Sequence, residues 1–214
     1  HMFAGVAEAS MEILYVDQKT KPEELGNALK KLLEENPIPQ DKTITAMGID
    51  LTLGEFQAKN IDSAIPDRPV IVFSMDGHAL LLNTKAMDQL GIGKAVKDPG
   101  DHSYYERDKD GTPTGLVIEI PAMKQCQKLM EYDLSMEERQ QILMDLAKSY
   151  SALGYTSISD AMSADDENAQ DLEALKILDQ KGQLPLRVST SFRYCGEDVI
   201  NAEKTLDLMK RNLE

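Results

Sequence analysis

Residues 66–92, PDRPVIVFSMDGHALLLNTKAMDQLGI, decide how the rest of the chain is read. Val70 to Phe73 is an apolar, β-branched run bounded by Pro69 and Gly77, the pattern of a buried strand. Such a strand delivers Asp76 and His78 to its carboxyl end, where open α/β sheets keep their chemistry. Leu80 to Leu82 prolongs the apolar character, Asn83 or Thr84 supplies a cap, and Lys85 to Leu90 reads as a short helix stopped by Gly91. The stretch is therefore expected to be strand, polar loop, short helix.

Outward from it, alternation of strand and helix continues in both directions. On the N-terminal side, residues 11–16 form a strand candidate, and Thr20-x-x-Glu23 with Pro22 reads as a capping box. The helix it opens carries Leu25, Leu29, Leu32 and Leu33 on one face until Pro37 and Pro39. Thr43 to Ile49 resumes a β alternation, and residues 54–65 form an amphipathic turn or two. On the C-terminal side, residues 103–107 and 115–120 flank Asp110-Gly111, a hairpin signal. Pro121 opens a helix with Met123, Cys126 and Met130 on successive turns. Ser135-x-x-Glu138 is a second capping box, before a helix whose apolar face runs Ile142, Leu143, Leu146, Tyr150 and Leu153. A strand over 155–159 ending at Asp160, a helix over 167–181, a strand over 184–192 and a helix over 197–211 complete the chain. Two βα units in series are what one sector of a (β/α)8 barrel looks like, and two cannot close one.

Composition narrows the partners. With 214 residues and 42% hydrophobic content the chain can bury a sizeable core. A net charge of -14 would repel nucleic-acid phosphates and anionic membranes. No apolar run approaches the ~20 residues of a bilayer span. Cys126 and Cys195 stand far apart without metal-knuckle spacing, which fits reduced thiols in a cytoplasmic protein; Cys126 reads as a small core residue. His1-Met2 has the look of a cloning remnant, and Leu213-Glu214 stops inside a helical pattern, so an excised segment is expected.

The runs 66–70, Asp76-Gly77-His78 and 83–87 resemble a segment of the amidohydrolase superfamily of TIM-barrel metal-dependent hydrolases, in the branch of the N-substituted formamide deformylases and exoenzyme regulators. The similarity continues through 106–119, 153–161 and 182–188, in order. It implies an α/β fold: a small mixed-sheet domain, residues 1–132, inserted into a hydrolase and followed by a partial (β/α) barrel sector, residues 133–214. It implies, for the parent protein, a divalent metal, zinc first, and a small-molecule substrate with an amide-type C–N bond. The His-x-His pair, the further histidines and the late aspartate that hold the metal in the family are absent. Apart from His1 there are only His78 and His102, so no residue here is assigned to metal and the chain alone is expected to be inactive.

Within the chain, His78 is the candidate substrate or oxyanion contact with Asp76 orienting it, and Asn83 and Glu119 are candidates for binding substrate. Asp-Gly-His after a strand is also the composition of a turn with an exposed histidine, and a strand-end carboxylate such as Glu119 is also a common helix-start partner. His102, in a Gly/Asp loop, reads as solvated, and Asp160 holds a strand-end place where barrels put functional groups; Ser159 stands where relatives often carry a basic residue or histidine. Unpaired strand edges predict a homo-oligomer. A non-enzymatic regulatory or binding module is the alternative.

Overall fold

The computed structural model describes residues 13–100, 102–130, 134–163 and 169–192, with Glu203, Leu206, Asp207 and Lys210. They fall into two compact units that divide near residue 131. Cys195, the acidic run 165–167 and most of the helix expected over 197–211 lie outside the described residues.

The first unit is built on a six-stranded sheet in the order β1-β2-β3-β4-β6-β5. Its strands are β1 (Ile13–Tyr15), β2 (Ile44–Ile49), β3 (Val70–Ser74), β4 (Ala79–Leu82), β5 (Tyr104–Arg107) and β6 (Pro113–Ile118). The first three run parallel, and the remaining pairings are antiparallel. Successive side chains of the central strands serve opposite faces. Val70, Val72 and Leu81 join Leu25 and Leu29 of helix α1 (Leu25–Glu35) and Ile61 of the short helix α2 (Lys59–Asp62) in one core. Ile71, Leu80 and Leu82 join Ala86 and Met87 of α3 (Thr84–Leu90) and Ala122 and Cys126 of α4 (Ile120–Cys126) in the other. Both faces are covered, which is why 70–72 and 80–82 read as unbroken apolar runs.

The structure corrects the sequence expectation at three places. Ala79–Leu82 is a strand, hydrogen-bonded back on β3 with Val72 opposite Leu81, so 75–78 is a hairpin turn and not a crossover loop. β2 does not alternate in exposure, being buried along most of its length. The first helix opens through a tight turn at Pro22–Glu24, and the Glu24 carboxylate accepts the Lys21 N–H at 3.1 Å. The capping residues therefore sit one position beyond Thr20 and Glu23. Gly48 breaks the β2 register at φ +124°, where a Cβ would collide with the Val16 carbonyl oxygen.

The second unit runs α5 (Met136–Ala152), β7 (Ser157–Ser163), α6 (Ala169–Gln180) and β8 (Arg187–Phe192). The Ser135 capping box forms as expected: its hydroxyl accepts the Glu138 N–H and the Glu138 carboxylate accepts the Ser135 N–H. β7 and β8 pair in parallel across α6, and Leu143, Ala147, Ala174, Leu175, Leu178 and Leu186 form the core. Arg139 on α5 and Asp171 on α6 make a buried ion pair at 2.5 Å; burial raises the Asp171 carboxyl pKa while the guanidinium opposes the rise. Two expectations differ. Leu153 is 76% exposed because α5 has ended and the chain is turning at Gly154. Asp160 lies within β7 and not at its end, and it is buried.

Candidate functional site

The carboxyl ends of β2 and β3, the start of β4 and the end of β6 share one edge of the six-stranded sheet. Ser74 closes β3 there. Its buried hydroxyl donates to Asp76 Oδ1 at 2.6 Å and accepts the Ala79 N–H at 2.9 Å, tying the two sides of the turn. Gly77, at φ +75°, makes the reversal without a side-chain clash. Asp76 Oδ1 also accepts the His78 N–H at 3.1 Å. The Ser74 hydroxyl first, then that N–H, hold the Asp76 carboxyl below the usual carboxylate range, so it is ionised at neutral pH. Asp76 thus orients the backbone of His78.

The imidazole is oriented by another residue. His78 Nδ1 lies 3.2 Å from Glu119 Oε1, with the two side chains 62% and 38% exposed. The β4–β6 ladder makes this meeting possible: Ala79 is opposite Ile118, and the Glu119 N–H donates to the His78 carbonyl at 2.9 Å. Glu119 itself stands in the left-handed region, φ +65°, between β6 and α4. Two of the candidates are therefore brought together, side by side and open to solvent.

Asn83 is placed differently. It is fully buried, and its amide is saturated: Oδ1 accepts the N–H groups of Val70 and Ala86, both at 3.0 Å, while Nδ2 donates to the carbonyls of Ile65 at 3.0 Å and Arg68 at 2.8 Å. No polar atom of the side chain is left for a substrate. It caps α3 and pins the start of β3. His102 is exposed at φ +62°. Asp160 belongs to the second unit, where its carbonyl accepts the Ser191 hydroxyl.

Residues not singled out from sequence also shape the edge. Asp50, just past β2, accepts the Thr52 hydroxyl at 2.7 Å and N–H at 2.9 Å, which lower its pKa, while desolvation and then the Asp76 charge push it the other way. An acid ending an apolar run is the same signal that picked out Asp76. Ser103, buried beside the β6–α4 junction, reads from sequence only as the first residue of the β-like run 103–107. Among the described residues no three His, Cys, Asp or Glu side chains converge to hold a metal ion, so those residues do not fit the metal that the family resemblance implies.

Residues 1–213 match a family model described as "Amidohydrolase family". The exoenzymes regulatory protein AepA of Pectobacterium carotovorum subsp. carotovorum is 26% identical over 198 residues, covering 89% of this chain and 41% of its own length. An N-substituted formamide deformylase of Arthrobacter pascens is 28% identical over 127 residues, covering 58% of this chain and 22% of the relative. The crystal structure of an uncharacterized metal-dependent hydrolase from Pyrococcus horikoshii OT3 superposes with a TM-score of 0.50 at 22% identity, covering 87% of this chain and 34% of the other, a likeness of fold. The chain thus spans less than half the length of these relatives.

Proposed function

Because the chain belongs to the amidohydrolase family, we propose that it is an internal segment of a longer metal-dependent hydrolase acting on amide-type C–N bonds of a small molecule. In this reading residues 1–132 are an inserted mixed-sheet domain and 133–214 a sector of the barrel. A catalytic zinc or other divalent ion of the whole protein would lower the pKa of its water and polarise the amide carbonyl. Its ligands would come from outside the described residues, and this segment alone would be inactive. The described residues contribute substrate contacts.

The observation that carries the assignment is the pairing of His78 with Glu119 on the sheet edge where β2 and β3 end. His78 meets the reacting amide, Asp76 fixes its backbone, and Asn83 acts through the fold by pinning the stretch that bears them. A cytoplasmic location fits the buried, reduced Cys126. Among the described residues no helix is long and apolar enough to cross a membrane.

The test is a comparison of two histidines in the full-length protein, with an N-substituted formamide as probe substrate. His78→Ala should lower kcat by on the order of a hundred-fold at an unchanged melting temperature, the cost of deleting a contact made in the transition state. His102→Ala should change neither quantity. Equal, small effects from both would make His78 an exposed turn residue. A regulatory module is the second reading, favoured by the breadth of the match to the exoenzymes regulatory protein. Full-length protein that purifies without divalent metal and hydrolyses no amide would support it over the first.

A further inference from the structure

Glu119 combines three features that a helix-start carboxylate does not need. Its backbone is left-handed at φ +65°, a conformation that costs an L-residue with a side chain free energy and that persists only where the surroundings enforce it. The enforcement is visible on both sides of the residue. Its N–H donates to the His78 carbonyl at 2.9 Å, and its carbonyl accepts the Met123 N–H at 3.1 Å. Ser103 locks the junction: its Oγ accepts the Ala122 N–H at 2.7 Å and shares its hydrogen between the carbonyls of Ile118 at 2.9 Å and Glu119 at 3.1 Å. Ser103 is 2% exposed, so these bonds face no competition from water. What the strained backbone presents is a carboxylate 3.2 Å from His78 Nδ1.

We propose that Glu119, held by Ser103, is a positioning residue that keeps the proton of neutral His78 on Nδ1 and so presents Nε2 to substrate as a hydrogen-bond acceptor. An ionised carboxylate can only accept, so the ring nitrogen facing it must carry the hydrogen, and the other nitrogen then has a lone pair. A solvent-exposed imidazole left to itself favours the opposite tautomer. The ligand group that matches Nε2 is a donor: the N–H of an amide, and not its carbonyl oxygen. Ser103 acts only through Glu119, and Glu119 only through His78. This deepens the proposed function, because it takes His78 as the group that meets substrate.

The imidazole 15N shifts of His78, recorded on the 214-residue chain at a pH where the ring is neutral, test this without any turnover. The wild type should show the Nδ1–H form predominating. Glu119→Gln, whose amide can turn either its oxygen or its NH2 toward Nδ1, should weaken the preference without reversing it. Glu119→Gly, which suits the left-handed backbone and therefore folds, should move His78 to the Nε2–H form, with a melting temperature unchanged or raised by about 2–4 °C. Ser103→Ala should move the tautomer part of the way although neither member of the pair is altered. The same tautomer in the wild type and in Glu119→Gly overturns the proposal, and a lowered melting temperature alongside it would make Glu119 a structural brace. A shifted tautomer together with unimpaired hydrolysis in full-length His78→Ala would instead sink the catalytic reading and leave the positioning intact.

Discussion

Buried polar groups show most sharply what single residues do in this chain. Asn83 uses both lone-pair positions and both amide hydrogens on four different backbone groups, so Asn83→Ala strands two N–H donors and two carbonyls at once. We expect a loss of on the order of 3–4 kcal/mol, read from urea unfolding of the 214-residue chain; a loss below ~1 kcal/mol would mean that water or a shifted backbone replaces the amide. Cys126 behaves oppositely, because nothing there welcomes its charge. Burial pushes its thiol up from 9.0 to about 12. A folded pKa above the unfolded one keeps its contribution whole below pH 9.0 and removes it as pH rises toward about 12. Stability should fall by about 1.4 kcal/mol per pH unit across that window. A thiol reagent at about pH 8 should modify Cys126 only as fast as the protein opens, and prompt modification of native protein would contradict the burial. Asp76 has the reverse sign: its lowered pKa gives a contribution present above the ordinary value of 3.8 and lost as pH drops through the folded value.

Elements are positioned by a few backbone approaches that leave no room for change. Gly48→Ala should cost about 2–4 kcal/mol and disorder β1, since the new methyl would run into the Val16 carbonyl oxygen in a backbone already at positive φ. Amide exchange at Leu14 and Val16 is the measurement, and wild-type protection there would show that β1 adjusts without loss. The sequence itself made several of these elements readable. The run Val70–Val72 is buried on both faces and looked it, and the Ser135 box and the Asp110-Gly111 turn formed where their residues asked for them. β4 was missed because Ala79–Leu82 has no polar alternation to separate it from a continuing core segment, its two faces being covered by different helices. The site divided in the same way. Asp76 and His78 follow an apolar run and could be found locally. Their link to Glu119 spans 41 residues and depends on β4 pairing with β6, which no local pattern encodes.

For the molecule as a whole, charge and exposed strand edges pull in opposite directions. β7 and β8 form a parallel pair with no third strand among the described residues, whereas parallel sheets are stable when both faces are covered and more strands are added. Tyr155, beside them, is 55% exposed. We therefore expect a dimer or larger species by light scattering, and a clean monomer at high concentration would favour two self-sufficient units. The net charge of -14 opposes association, so raising salt should strengthen it. The order of the first sheet has a temporal consequence as well. β3–β4 and β5–β6 are hairpins closed by short turns, while β1 reaches β2 after a crossover of 28 residues (16–43) and β2 reaches β3 after one of 20 (50–69). Closing short loops first is the cheaper route, so the two hairpins should each form early, and β1 and the β4–β6 pairing that brings Glu119 to His78, which close 28 and 30 residues, should follow. Val72→Ala and Leu81→Ala should then slow folding nearly as much as they destabilise, and Leu14→Ala should act mainly by speeding unfolding.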